Sequence, residues 1–298
     1  MSRHGPRSSG PLLKGQAVAT FGRRLEISLD GGATLACVTR GKGALVACGD
    51  FVDVRETTAG QGVVEAIRPR SSLLHRSNAL REKLLAANVS QAIFVLAPVP
   101  AFSEELLARC LVAATAAVIH TLIVLNKSDL QAEWSQARSQ LDYYQALGYS
   151  ILPLCARQSI AALLPFLDRH TSILVGQSGM GKSSIINALV PDAAARTAEI
   201  SLALDSGRHT TTSSRLYCLG DAAKIIDSPG LQEFGLHHLS AGEIEYAFTE
   251  FRPYLGACRF NNCRHTREPD CALKTFARQS VATQRRLNFL TRVVAARG

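Results

Sequence analysis

The sequence predicts an α/β chain in which a doubly wound, mostly parallel sheet lies between a small all-β module and a helical end that holds a metal. Three observations predict it. The glycine-rich run Gly176 to Ser184 follows the apolar stretch Thr171 to Val175 and opens a helical stretch, Lys182 to Val190, that Pro191 stops. Strand, tight loop and helix in that order form the βα unit of a doubly wound sheet. Residues 15–70 hold five short runs suited to strands, and the closing region gathers Cys258, Cys263, His265 and Cys271 within fourteen residues.

The first ten residues, MSRHGPRSSG, are polar and lack the apolar region of a signal peptide, so a disordered basic tail is expected over 1–14. The strand runs are Gln16 to Phe21, Arg24 to Leu29, Thr34 to Arg40, Asp50 to Glu56 and Gly62 to Ile67, with Asp30-Gly31-Gly32 as a hairpin signal. So few strands avoid open edges by closing, and a small barrel of the oligonucleotide-binding type is the natural solution. Its aromatics are sparse (Phe21, Phe51), which favours contact with a folded RNA backbone over stacking on single strands. Residues 71–84, with Ser71-Ser72, His75-Arg76 and Arg81, read as a basic connector. Leu106 to Leu125 is apolar, but Arg109 and His120 interrupt it, and a helix followed by a buried strand is the better reading than a membrane span.

Asn126-Lys127-Ser128-Asp129 follows the apolar run Leu122 to Leu125 and so lies at a strand end, where doubly wound sheets bind ligands. The Asp129 carboxylate suits guanine, whose N1–H and 2-amino group both donate, and repels adenine, which offers an acceptor at N1. Asn126 can address the base edge and the neighbouring loops, while the Lys127 stem covers the ring. A further strand, Ile151 to Leu154, ends at Cys155-Ala156, which suits a loop backing the base, although serine is commoner there.

The phosphate loop comes next: Gly176, Gln177, Ser178, Gly179, Met180, Gly181, Lys182, Ser183 and Ser184. Its glycines let successive backbone N–H groups converge on phosphate oxygens at a helix N-terminus. Lys182 should neutralise β- and γ-phosphate charge, and the Ser183 hydroxyl should ligate magnesium. Gly207-Arg208-His209-Thr210-Thr211-Thr212 is placed to supply a threonine to the same metal; Thr211 is the expected one, with the choice among Thr210 to Thr212 open. Asp227-Ser228-Pro229-Gly230 follows the strand Ala223 to Ile226, with Asp227 holding magnesium through water and the Gly230 N–H meeting the γ-phosphate. These are the parts of a P-loop GTPase in permuted order, with the guanine motif ahead of the phosphate loop. The site is unaffected, because a doubly wound sheet keeps its loops at one edge whichever connection is opened. Leu231 stands where a GTPase often has a water-orienting glutamine, so intrinsic hydrolysis should be slow, and His237 or His238 downstream can supply a substitute.

Cys258, Cys263, His265 and Cys271 suit tetrahedral zinc, and four protein ligands leave no open position, so the metal is structural. The other cysteines (Cys37, Cys48, Cys110, Cys155, Cys218) show no disulfide framework. Formal charge is +9 and unevenly spread: +5 over residues 1–80, −4 over 81–250 and +8 over 251–298. Arg278, Arg285, Arg286, Arg292 and Arg297 stud one closing helix whose apolar face is Leu287, Leu290 and Val294, so these arginines are expected to reach phosphate backbone. At 47% hydrophobic and 19% charged, the chain reads as a globular protein of the cytoplasm without membrane contact.

Taken together the chain resembles the circularly permuted, ribosome small-subunit-dependent GTPases, bacterial factors of late small-subunit assembly. The resemblance rests on Arg40-Gly41-Lys42, Gly49-Asp50-Phe51-Val52, Lys83 to Val89, the guanine and phosphate motifs, Gly207 to Thr212, Asp227 to Gly230, Glu233-Phe234-Gly235-Leu236 and the cysteine-histidine cluster. Ser90, where an aspartate is expected, and Cys155 depart from the pattern. The resemblance implies an oligonucleotide-binding barrel (15–72), a permuted GTPase domain (73–240) and a helical domain with one structural zinc (241–298). It implies a protein that hydrolyses Mg-GTP to GDP, binds the small ribosomal subunit and its rRNA, and is stimulated by it; a monomer is expected. It also makes His238 the catalytic histidine, beside Lys182 and Thr211. Two other readings stay open: a GTP-controlled switch on another structured RNA, and an ATP-using P-loop enzyme with a zinc-binding appendage.

Overall fold

Strands that alternate apolar and polar residues close on themselves here, while strands that are apolar throughout form the middle of a layered sheet. The structure, a computed structural model, describes residues 11–39, 45–77, 82–191, 214–231 and 234–296. Arg40 to Lys42, Gly207 to Thr212 with Thr211, Glu233 and Arg297 therefore lie outside the described residues.

Five strands, β1 (Leu12–Phe21), β2 (Arg24–Leu29), β3 (Thr34–Thr39), β4 (Phe51–Thr58) and β5 (Gln61–Ile67), make the barrel. It closes in the order β1-β2-β3-β5-β4, because β1 pairs with both β2 and β4. Period-2 burial puts Ala17, Ile27, Cys37, Val52, Val54 and Val64 inside. Leu12 to Lys14, expected in the disordered tail, are strand and pair with Arg55 to Asp53. That pairing closes the barrel, a long-range need that local composition does not reveal.

The second sheet contains β8 (Gln91–Leu96), β9 (His120–Leu125), β10 (Ser150–Pro153), β11 (Thr171–Val175), β12 (Ser214–Leu219) and β13 (Ala223–Asp227). Its order is β10-β9-β8-β11-β13-β12, parallel except for β12, which runs antiparallel to β13. All six residues of β8 are buried, as a strand covered on both faces requires. Leu106 to Leu125 divides as expected into a helix, Glu104–Ala116, and β9. No helix of the described residues is long and apolar enough to cross a membrane. The connector is not a simple linker but a hairpin, β6 (Leu73–Ser77) with β7 (Glu82–Ala87). Its basic residues hid the β-pattern.

The two sheets join edge to edge, with Ala19 of β1 opposite Arg215 of β12. Arg215 pairs with Glu26 at 2.6 Å, and Lys224 Nζ donates to Gln16 Oε1 at 2.7 Å. Beneath this seam Arg70 forks onto the fully buried Asp50, and both the Gln16 and Asn88 side-chain amides donate to the Gly49 carbonyl. Gly49 and Asp50 therefore act as the corner between barrel and parallel sheet.

The closing helices are Ala241–Ala247, Ala272–Ala277 and Val281–Ala295. The expectation that their arginines lie open to phosphates needs correction. Arg286 is 1% exposed and pairs with Glu250 at 2.6 Å, its guanidinium 4.4 Å from the Phe248 ring centroid. Arg285 and Arg292 pair with Glu104 and Glu105 at the start of the helix Glu104–Ala116. Arg278 caps the preceding helix instead of belonging to the last one. The acidic first turn of the helix Glu104–Ala116 draws two arginines of the last helix onto it.

Gly49 has φ +96°, and a Cβ built on it would lie 2.2 Å from the Ala87 carbonyl oxygen. Gly49→Ala is expected to destabilise the protein by about 2–4 kcal/mol in denaturant unfolding, combining left-handed strain with overpacking. Ala→Gly at the fully buried Ala17 should cost less than this if the Gly49 corner is the tighter constraint.

Candidate nucleotide-binding site and metal centre

The loops after β8, β9, β10, β11 and β13 meet at the carboxyl edge of the parallel sheet, around a cleft of about 1030 Å³. Asn126, 3% exposed, holds three of them. Its Nδ2 donates to the Met180 carbonyl at 3.0 Å, and its Oδ1 accepts from the Ala156 N–H at 3.0 Å. The carboxamide thus ties the guanine loop to the phosphate loop and to the base-backing loop. Of the two roles expected for Asn126, bridging loops is the one its hydrogen bonds serve. Gly181 makes this possible, since a Cβ there would fall 2.2 Å from Asn126 Nδ2, and its φ is +98°.

Ser128 N–H donates to the Leu154 carbonyl at 3.1 Å, anchoring the turn that presents Asp129 to the cleft. The Cys155 thiol lies 3.2 Å from Asp129 Oδ1 and donates to it. That bond is the main reason the Asp129 carboxyl lies below the usual carboxylate range. A thiol thus does the orienting that a serine hydroxyl would do, and the carboxylate stays ionised as a guanine reader needs. Lys127 sits at φ +61° and lines the same end of the cleft.

At the other end Ser178, Gly179, Gly181, Lys182, Ser183 and Ser184 line the wall. Lys182 Nζ donates to the Gly176 and Gln177 carbonyls at 2.8 and 3.0 Å. Burial pushes its pKa down, and burial pushes that of Asp227 up, each opposed by the other's charge. Gly230 faces the loop so closely that a Cβ on it would lie 3.3 Å from the Ser178 nitrogen and 3.5 Å from Lys182 Nζ. Gly176, Gln177, Met180 and Ser128 do not line the cleft but build its walls: Gln177 Oε1 accepts from Ser103 N–H, and Met180 is buried. Leu231 is buried as well, its N–H bonded to the Gly176 carbonyl.

His238 is not brought to the cleft. Its ring packs on His75 with centroids 3.8 Å apart, and its Nδ1 lies 2.8 Å from Ser77 Oγ. Cleft residues to which sequence reading gave no role in the site are Arg76, Lys83, Leu85, Val99, Leu130 and Arg157. The signal for the first two was the basic connector, but only the hairpin turns those residues toward the phosphate loop.

The metal-ligand expectation meets a compact cluster. One ligand atom each from Cys258, Cys263, His265 and Cys271 lies within 4.8 Å of all the others. The Cys258 and Cys271 sulfurs are 3.8 Å apart, and His265 Nδ1 lies 3.4–3.6 Å from the three sulfurs. Zinc–sulfur bonds of ~2.3 Å in a tetrahedron require edges of about 3.8 Å, so the donor set fits. Sequence reasoning missed Glu245, whose Oε1 is 3.5 Å from His265 Nε2 and turns Nδ1 toward the sulfurs. Among the described residues no two cysteines are joined, and Cys37, Cys48 and Cys110 are buried as core residues.

Two outcomes follow from this geometry. Gly181→Ala should weaken guanine-nucleotide binding at least roughly tenfold in calorimetry while leaving the folded far-ultraviolet spectrum intact, because it breaks a loop bridge and not the core. Glu245→Ala should lower zinc affinity by about 10–100-fold in chelator competition; an unchanged affinity would remove Glu245 from the metal site.

The RsgA GTPase family model matches residues 67–237, more than half of the chain. The small ribosomal subunit biogenesis GTPase RsgA of Nitrosospira multiformis is 53% identical over 291 residues, covering 98% of this chain and 93% of that protein. The protein of the same name from Burkholderia pseudomallei is 51% identical over 269 residues, covering 89% and 86%. Among solved structures, YjeQ from Thermotoga maritima aligns with a TM-score of 0.71 at 24% identity over 97% of this chain and 100% of that one. YloQ, described as a circularly permuted GTPase, aligns at 0.67 and 23% over 100% and 99%. These two likenesses establish the fold, a permuted GTPase sheet with an N-terminal barrel, and the sequence matches establish that the chain belongs to the RsgA GTPase family.

Proposed function

We propose that the chain hydrolyses GTP to GDP and phosphate and acts in late maturation of the small ribosomal subunit, binding that subunit and its rRNA as a cytoplasmic monomer. The observation that carries the reading is one cleft with two chemically distinct ends, an ionised Asp129 at one and Lys182 with Asp227 at the other, joined by Asn126. The names of the relatives supply the subunit. The layout in this reading is a barrel over 15–72, which β1 extends back to Leu12, a permuted GTPase domain over 73–240 and a zinc-holding helical end over 241–298.

In this mechanism Asp129 accepts from guanine, Ala156 backs the base, and the N–H groups from Ser178 to Ser184 hold the phosphates. Magnesium, when bound, neutralises charge between the β- and γ-phosphates. Ser183 and Asp227 fit that ion, since burial raises the cost of the Asp227 charge, Lys182 offsets only part of it, and a cation would relieve the rest. Lys182 exchanges loop carbonyls for phosphate oxygens. Gly230 N–H faces the γ-phosphate, and buried Leu231 leaves water unoriented from that position. His238, held outside the cleft with its Nδ1 on Ser77, takes the water-orienting role through Nε2 only once the segment after Gly230 moves toward the γ-phosphate. The metal ligated by Cys258, Cys263, His265 and Cys271 is zinc, and it is structural.

RNA contact is supported by a second cleft, between the metal cluster and the final helix, lined by Arg267, Lys274 and Arg278 with Gln284, Asn288 and Thr291. Cations interleaved with amide and hydroxyl groups suit a phosphodiester backbone.

The test is steady-state hydrolysis with purified small subunits, using large subunits and ATP as controls. Stimulation of GTP hydrolysis by small subunits alone is expected, and Asp129→Asn should lower activity on GTP by roughly a hundredfold while restoring it on xanthosine triphosphate. GTP hydrolysis indifferent to every ribosomal particle would redirect the search to another structured RNA. Unchanged base preference in Asp129→Asn would end the guanine reading.

A further inference from the structure

We propose that Arg76 and Lys83, a cross-strand pair in the β6–β7 hairpin, contact the terminal phosphate of the bound nucleoside triphosphate, as cations additional to Lys182. The inference rests on the GTP reading above and concerns two residues to which that reading gives no role in the site, Lys83 at the head of the Lys83 to Val89 run and Arg76 in the basic connector.

Arg76 stands directly opposite Lys83 in the hairpin register. Like charges in that position destabilise an antiparallel pair. Both residues nevertheless line the cleft, together with Leu85 two positions beyond Lys83 on the same face. Burial lowers the Lys83 pKa, and the charge of Arg76 lowers it further. Two cations side by side at the wall of a phosphate-binding cleft present a positive face to an anion bound there. The Lys83 ammonium gains from that anion twice, through direct attraction and through relief of its repulsion by Arg76.

The hairpin's other face identifies which phosphate. His75 and Ser77 alternate with Arg76 and point the opposite way, and both hold the segment that follows Gly230. Ser77 N–H donates to the Gly235 carbonyl, the Ser77 carbonyl accepts from His237 N–H, and Ser77 Oγ accepts from His238 N–H at 2.8 Å. His75 packs on His238 and pairs with Glu82. The hairpin is therefore bound to the continuation of the Asp227 to Gly230 loop, which lies across from Ser178 and Lys182. The Asp129 and Cys155 end of the cleft belongs to other loops. A cationic pair on this side meets the end of the phosphate chain, which a triphosphate fills and a diphosphate does not. Since β6 follows the barrel after Ile67, the same hairpin would report the terminal phosphate both to the barrel and to the His238 segment.

The experiment is calorimetric titration of the full-length, zinc-loaded protein with GDP and with a non-hydrolysable GTP analogue, in wild type, Arg76→Gln and Lys83→Met. Thermal unfolding of each nucleotide-free protein runs alongside. Each substitution should weaken the analogue roughly tenfold and GDP by less than about twofold, the loss of one charge-assisted contact to one phosphate. The unfolding temperature of Lys83→Met should hold or rise, because its repulsion by Arg76 has been removed. Equal losses for both nucleotides, with or without a lower unfolding temperature, would assign the pair a structural role and overturn the inference. No loss for either nucleotide would also overturn it; if small-subunit binding then falls, the pair faces RNA phosphates instead. Failure of wild type to bind either guanine nucleotide would sink the GTPase reading itself, a result distinct from all of these.

Discussion

The candidate site depends on the Asn126 carboxamide. One amide with a donor and an acceptor bridges the Met180 carbonyl and the Ala156 N–H, so three loops from β9, β10 and β11 are set relative to one another by a single buried side chain. Buried in this way, the group cannot lose either partner without leaving an unsatisfied polar atom, at a cost of about 1–3 kcal/mol. Gly181 has no Cβ for the same reason, and its left-handed backbone starts the helix that follows. Permutation of the chain leaves this unaltered, because the hydrogen bonds link loop ends and are indifferent to the order in which the strands are threaded.

The closing helices are held to this core by apolar packing, with ion pairs fixing how they sit on it. Arg286 sits among Tyr144 and Phe248 and forks onto Glu250, with both charges almost wholly removed from water. Such a pair adds little net stability over an apolar replacement, yet loss of one partner leaves a buried charge. Leu287, Leu290 and Val293 of the same helix belong to the core shared with Leu107 and Leu111. Around that packed contact, Arg285 and Arg292 reach the acidic start of the helix Glu104–Ala116. Part of the strong positive charge of residues 251–298 therefore holds the last helix to its neighbours. The cations that remain beside the metal cluster, Arg267, Lys274 and Arg278, are a narrower set than composition implies.

Barrel, hairpin and sheet form one continuous system of strands and buried polar corners. The barrel's first strand extends the parallel sheet at β12, and its last strand leads into the β6–β7 hairpin, which grips the segment after Gly230. Gly49, Asp50 and Arg70 brace the turn between them. The chain after β13 thus touches the phosphate loop at Gly230 and Leu231 and the hairpin from Gly235 to His238, a two-sided contact of the kind a switch requires.

Much of the site was legible in the sequence because its chemistry is local. Gly176 to Ser184, Asn126 to Asp129 and Asp227 to Gly230 each set a loop whose glycines, donors and charges are adjacent in the chain, and β11 and its helix begin where the motif requires. The five barrel runs were legible through alternation, and the metal ligands through their close spacing. What only the tertiary structure decided is pairing over distance. Leu12 to Lys14 became strand because β4 needed a partner, and Glu245 met His265 from a different helix. Arg286 became a core residue because Glu250 and two rings surround it. Arg76 and His75, neighbours in sequence, were sent to opposite faces of a hairpin, one to the cleft and one to His238. A residue's type sets what it can bond, but which partner comes within reach is set by the closure of the barrel and the packing of helices on the sheet.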